Sequence, residues 1–159
     1  ADLSTVLVQG KRIPRVRSIS MSQVFGFGEW LDKGPNRSQT KWDTYNKGAT
    51  IRKPSNTMVF IDEHPDSLND SAFAVACTGA EQSDGPSYAS AQIIDFPASY
   101  HNGACGFSFA DGHSEIHKWI GKKIQPPVTY TGTMPLNVSA SPDSGRDVRW
   151  MAENTTVRR

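Results

Sequence analysis

All four histidines of this 159-residue chain, His64, His101, His113 and His117, fall within residues 61–117. The same stretch carries nine carboxylates and not one Lys or Arg. Carboxylates packed without counter-charge repel one another unless they are solvated, paired with basic neighbours or gathered around a cation. Two blocks concentrate the useful groups: Asp62, Glu63, His64 and Asp66 upstream, and His101, Asp111 and His113 downstream. Oxygen donors bunched on a loop suit a hard cation such as Ca²⁺, whereas imidazoles beside them suit Zn²⁺. A divalent metal, calcium or zinc, is therefore the expected cofactor, with those seven residues as candidate ligands. The spacing is not that of an EF-hand loop.

Such a metal could also activate water against a small ester or lactone, an acyl-homoserine lactone being one example. Glu63, His101 and Asp111 are the candidate catalytic residues in that case, with Glu63 or Asp111 as base. No G-x-S-x-G elbow, H-E-x-x-H helix or H-x-H-x-D-H run accompanies them. A plainer alternative uses the flanks. Residues 1–60 hold ten Lys/Arg against four acids, and residues 118–159 hold seven against three. Those flanks could fold over the acidic centre as surface pairs, leaving the histidines as rim packing. Cys77 and Cys105 form no C-x-x-C, so they are either a disulfide or two small buried hydrophobes.

The elements that must position these groups read as short strands. Residues 5–8 form an apolar strand, Gly10-Lys11 a turn, and residues 13–17 a basic edge strand limited by Pro14. Residues 25–50 read as a long ordered loop anchored by Phe25, Phe27, Trp30, Trp42 and Tyr45. Residues 57–61 are the clearest strand and run directly into Asp62. Apolar runs follow at 71–77 and 91–96, separated by a loop at 78–90. Asp111-Gly112, flanked by alternating segments, marks a hairpin. Residues 122–144 are a Pro/Ser/Thr-rich connection. Only residues 145–153 read as helix, with Ser144 or Asp147 as its cap.

Composition narrows the function. Apolar residues are 36% of the chain, and Gly plus Pro supply 23 positions, which gives one modest core and many turns. A net charge of +1 excludes a basic nucleic-acid binder, so no nucleic acid is expected as partner. No apolar run approaches the 18 residues of a membrane-spanning helix. The expected fold class is mainly β (α+β): an antiparallel sheet with long ordered loops and one or two short helices.

His101-Asn102-Gly103-Ala104-Cys105-Gly106-Phe107-Ser108-Phe109-Ala110-Asp111-Gly112 is a His, nine residues and Asp-Gly. This resembles the C-terminal signature of the prepilin-type H-x9-DG proteins, a pseudopilin-like family. The blocks Phe60-Ile61-Asp62-Glu63-His64-Pro65-Asp66-Ser67, Arg17-Ser18-Ile19-Ser20-Met21-Ser22 and Arg146-Asp147-Val148-Arg149-Trp150 are also similar to that family, in the same order. The resemblance implies one pseudopilin-like domain over residues 1–159, a fragment without the family's N-terminal membrane helix. It implies a secretion-associated structural or binding protein in which calcium stiffens loops, with secretion-system or pilus components as partners. Its location would be the bacterial periplasm or cell envelope if the gene encodes the prepilin helix, and the cytoplasm otherwise. A sheet face lacking its usual helix predicts a homo-oligomer.

Overall fold

The computed structural model describes residues 5–8, 11–14, 17–35, 41–81, 90–131 and 134–159. The expected turn at Gly10, residues 15–16 of the basic edge strand, residues 36–40 of the aromatic loop and most of the 78–90 loop lie outside them. Nine strands and one α-helix follow along the described chain: β1 (Thr5–Val8), β2 (Lys11–Pro14), β3 (Ile19–Ser22), β4 (Met58–Asp62), β5 (Ala72–Phe73), β6 (Gln92–Ile93), β7 (Ala104–Phe109), β8 (Ser114–Lys118), β9 (Val138–Ser139) and α1 (Gly145–Glu153). The fold is mainly β, of α+β type. No helix among the described residues is long and apolar enough to cross a membrane.

The central sheet has the order β5-β3-β4-β7-β8. Its pairs are antiparallel except β3–β5, which is parallel. The expected antiparallel sheet is thus a mixed one. The reason is the route of the chain: after β4 it crosses to the far side of β3 and returns in the direction of β3, which no hairpin can do. β1–β2 and β6–β9 are separate antiparallel ladders. The first ends at the pair Thr5↔Pro14, where proline can donate no further ladder bond.

Alternation decides which face is core. Ile61 pairs with Phe107 and Met58 with Phe109, and all four are buried. Val148 and Met151 of α1, with Trp119, belong to the same apolar cluster. The opposite face stays open. Register places Met21 beside Phe60, Phe60 beside Ser108, and Gly106 beside Ile116 on that face. Ile19, Met21, Phe60 and Ile116 are all exposed there, Ile116 at 80%.

The hairpin β7–β8 forms where Asp111-Gly112 predicts it. Gly112 N donates to Phe109 O at 3.0 Å, and Gly112 sits at φ +94°. Only the glycine is left-handed in this turn; Ala110 and Asp111 keep negative φ. A second turn, which the Asp-Gly reading overlooked, opens the same hairpin. Asn102 (φ 56°) and Gly103 (φ 75°) are consecutive left-handed residues, and Ala104 N donates to His101 O at 3.2 Å. Those are the φ signs of a type I′ turn, for which Asn-Gly is the favoured dipeptide.

The helix covers the expected residues, but its cap signals serve tertiary contacts. Ser144 occupies the N-cap without a side-chain cap bond. Its Oγ accepts from Ile124 N instead (3.0 Å), and Asp147 accepts from Ile120 N (3.0 Å) and Gly121 N (2.8 Å). These bonds tie the chain after β8 to the helix start. Both cysteines are free and buried, which decides for the small-hydrophobe reading over the disulfide.

Candidate functional site

β4 ends at Asp62, paired with Ile19 of β3 and one residue beyond the last pair with β7, so successive residues from Asp62 leave the sheet toward different surroundings. Asp62 stays on the open face. Its carboxylate meets His101 Nε2 at 2.9 Å and accepts from Tyr100 Oη at 3.0 Å. The Tyr100 and His101 rings lie 4.5 Å apart between centroids. Cys105 Sγ donates to Asp62 O at 3.1 Å, so both the side chain and the main chain of Asp62 grip the start of the hairpin.

Glu63 faces inward and is fully buried. Ser20 Oγ donates to Glu63 Oε2, and Arg17 Nη1 donates to the same hydroxyl. The Arg17 guanidinium itself stands 4.0 Å from Oε2. Glu63 Oε1 has no hydrogen-bond partner among the described residues. Burial pushes the carboxyl up to about 8, with the Asp95 charge adding to the rise and the Ser20 bond opposing it. Glu63 is therefore mostly protonated at neutral pH.

His64 is also fully buried. Asp66 N approaches its Nδ1 at 3.2 Å, and its Nε2 meets Pro126 O at 3.2 Å. An amide can only donate and a carbonyl can only accept, so the ring carries its proton on Nε2 and is neutral. Asp66 accepts from Thr129 N (2.7 Å) and Thr129 Oγ1 (3.1 Å), fastening the 126–131 segment over this corner.

The downstream block separates. His101 reaches Asp62, but Asp111 does not. Asp111 lies in the turn at the far end of β7, about 20 Å of strand away. There it meets His113 Nδ1 at 2.6 Å, and its pKa is held below the ordinary value by that bond. The His113 ring stacks on Phe109 with centroids 4.3 Å apart. His117 is drawn to yet another place, stacked on Trp150 at 3.7 Å, where burial lowers its pKa. The expected meeting of His101 and Asp111 near Asp62–His64 does not occur. A six-residue strand stands between them, and pairing with β4 keeps it extended. Glu63, His101 and Asp111 accordingly share no common centre. No group of three or more His, Cys, Asp or Glu side chains among the described residues is arranged to hold a metal.

Among the described residues, Glu63, Asp66, Asp70 and Asp95 of the acidic centre accept hydrogen bonds from amides or hydroxyls. Among the described residues, Arg17–Glu63 and Arg158–Glu81 (3.7 Å) are the ion pairs linking a flank to the centre.

Two residues outside the sequence-based candidates line a cleft of about 560 Å³ beside β3 and β5. Ser22 and Asp95 are each 2% exposed, yet Ser22 Oγ and Asp95 Oδ1 have no hydrogen-bond partner among the described residues. Asp95 Oδ2 is fixed by Ala74 N, at 2.6 Å. Burial pushes Asp95 up to about 7, with the Asp70 charge assisting and the Ala74 bond opposing. Its signal in the sequence is an acid inside the apolar run Ile93-Ile94-Asp95-Phe96. Phe25, Phe27 and Trp30 supply the aromatic wall. Trp30 N donates to Gln23 Oε1 (3.0 Å) and Gln23 Nε2 to Val75 O (2.9 Å), which fixes the loop on the sheet. Compared with protein-family models, curated proteins and solved structures, the chain gives no match in any of the three.

Proposed function

We propose that this chain is a pseudopilin-like structural or binding module rather than a hydrolase. One observation carries the reading: the nine residues between His101 and Asp111 measure one strand with its turns. His101 stands just before the Asn102-Gly103 turn into β7, and Asp111-Gly112 makes the turn out of it. The His, the spacing and the Asp-Gly pair thus specify how a hairpin is mounted on β4. Chemistry at a shared centre would instead need these side chains within hydrogen-bond reach of one reacting group.

The open apolar face supports an assembly role. Ile19, Met21, Phe60 and Ile116 are exposed on this one face, and apolar side chains gathered on one face are what an interaction surface requires. The expected homo-oligomer would bury this patch, and sedimentation over the micromolar range reads it directly.

The test uses the two substitutions H101A and D62A, with and without chelator. His101 is exposed in this pair and Asp62 mostly covered, so H101A is expected to lose about 0.2–1 kcal/mol and D62A more, since it also gives up the Tyr100 bond. The melting curves with calcium, zinc and EDTA should overlay. Turnover of p-nitrophenyl acetate and of a homoserine lactone should equal the buffer background. Chelator-sensitive hydrolysis that H101A abolishes would establish the metal-dependent hydrolase instead.

A further inference from the structure

We propose that the cleft beside β3 and β5 binds a small ammonium group carried on an apolar body, with Asp95 and Ser22 as its polar anchors. The proposal stands independently of the pseudopilin reading. Its motive is a pair of buried polar atoms with no hydrogen-bond partner among the described residues. A buried hydroxyl and a buried carboxylate oxygen without partners each cost free energy that a fold normally avoids. Here both residues, Ser22 and Asp95, line the same cleft, with Ser22 Oγ and Asp95 Oδ1 buried just beneath its surface.

The rest of the lining selects the ligand. Among the described residues its charged members are Glu29, Asp70 and Asp95, with no Lys or Arg. An anion would face those carboxyls. A cation meets carboxylates and the faces of Phe25, Phe27 and Trp30, which attract ammonium groups through the ring quadrupole. Met21 and Leu136, both exposed, add apolar wall for the body of the ligand. The volume of about 560 Å³ lies in the ordinary range of small-molecule sites.

The anchors are held ready. Ala74 N pins Asp95 Oδ2, and Asp95 N returns a bond to Ala74 O (3.3 Å), so Oδ1 keeps its direction without the ligand. An entering ammonium donates one N–H to Asp95 Oδ1 and one to Ser22 Oγ. Asp95 gives up its own proton to solvent as the cation arrives. Of the neighbouring carboxyls, Asp70 helps raise Asp95 and Asp95 in turn helps raise the buried Glu63, so affinity rises with pH up to about 7, the value to which burial brings Asp95.

Calorimetric titration with three ligands of one shape tests this: phenethylamine, 2-phenylethanol and 3-phenylpropanoate. Phenethylamine is expected to bind at least about tenfold more tightly than the alcohol, the usual worth of a charged hydrogen bond, and the carboxylate not at all. D95N should lose at least about tenfold for the amine while leaving the alcohol unchanged, and S22A should lose less. Equal binding of amine and alcohol overturns the proposal, as does saturation-free titration of phenethylamine to 10 mM. Should D95N fail to fold, the three-ligand comparison on the unaltered chain and the S22A titration still decide.

Discussion

Replacing Glu63 by Gln should flatten the dependence of stability on pH. Glu63 is fully buried, and its carboxyl rises from 4.5 to about 8 on folding, chiefly through burial. In the unfolded chain it loses its proton near 4.5. Between that pH and about 8 the folded state therefore holds a proton that the unfolded state has released. Stability falls as pH rises through this window, by about 1.4 kcal/mol per pH unit, and is constant above it. From pH 5 to pH 8 the loss assigned to Glu63 is roughly 3–4 kcal/mol. For a chain of this size that corresponds to roughly 7–14 °C in melting temperature. Asp95, raised from 3.8 to about 7, slopes in the same direction up to pH 7. His117, lowered by burial, slopes in the opposite direction below pH 6.5. The His117 contribution remains in E63Q and cancels in the difference, whereas the Asp95 charge helps raise Glu63, so the difference carries Glu63 together with that coupling. The amide also brings a fixed packing cost, which shifts the whole curve without tilting it. Urea unfolding of both proteins at several pH values gives the difference curve directly. It should climb by about 3 kcal/mol in favour of E63Q between pH 5 and pH 8. Parallel curves would refute the burial argument and show Glu63 to be ionised in the folded state.

Two further outcomes follow from close packing and burial. A Cβ on Gly121 would stand 2.6 Å from Ser144 Cα and 2.7 Å from Asp143 O, whereas one on Gly106 meets nothing within 4 Å. G121A should therefore cost about 2 kcal/mol or more and G106A less than about 1, both read from urea midpoints; equal losses would contradict the contact between the 121 turn and the start of α1. Cys77 and Cys105 are buried and their thiol pKa values are pushed up, so an aromatic disulfide reagent should titrate no thiol in the native protein and two in denaturant. Rapid release from the native protein would place at least one of them at the surface.

Much of the architecture was legible in the residues themselves. The strand at β4, the hairpin at Asp111-Gly112 and the helix over 145–153 all rest on local signals: alternation, a left-handed glycine and a 3.6-residue apolar spacing. Local signals are read locally, which is why they survive folding. The free cysteines were one of two readings that the sequence left open, and burial decided between them.

The site was a different matter. Clustering in the sequence placed Asp62, Glu63, His64 and Asp66 together, but leaving a strand sends neighbouring side chains to opposite faces, and each found its own partner. His101 and Asp111 are ten positions apart in a motif, yet the extended β7 between them makes that interval a length rather than a meeting. Asp95 and Ser22 are 73 positions apart, and only the route of the chain around the edge of β3 brings them to one cleft. Sequence determines what each short segment prefers to be. Which segments become neighbours is fixed by strand order and by the burial that closes the core, and this is where the candidate chemistry was decided.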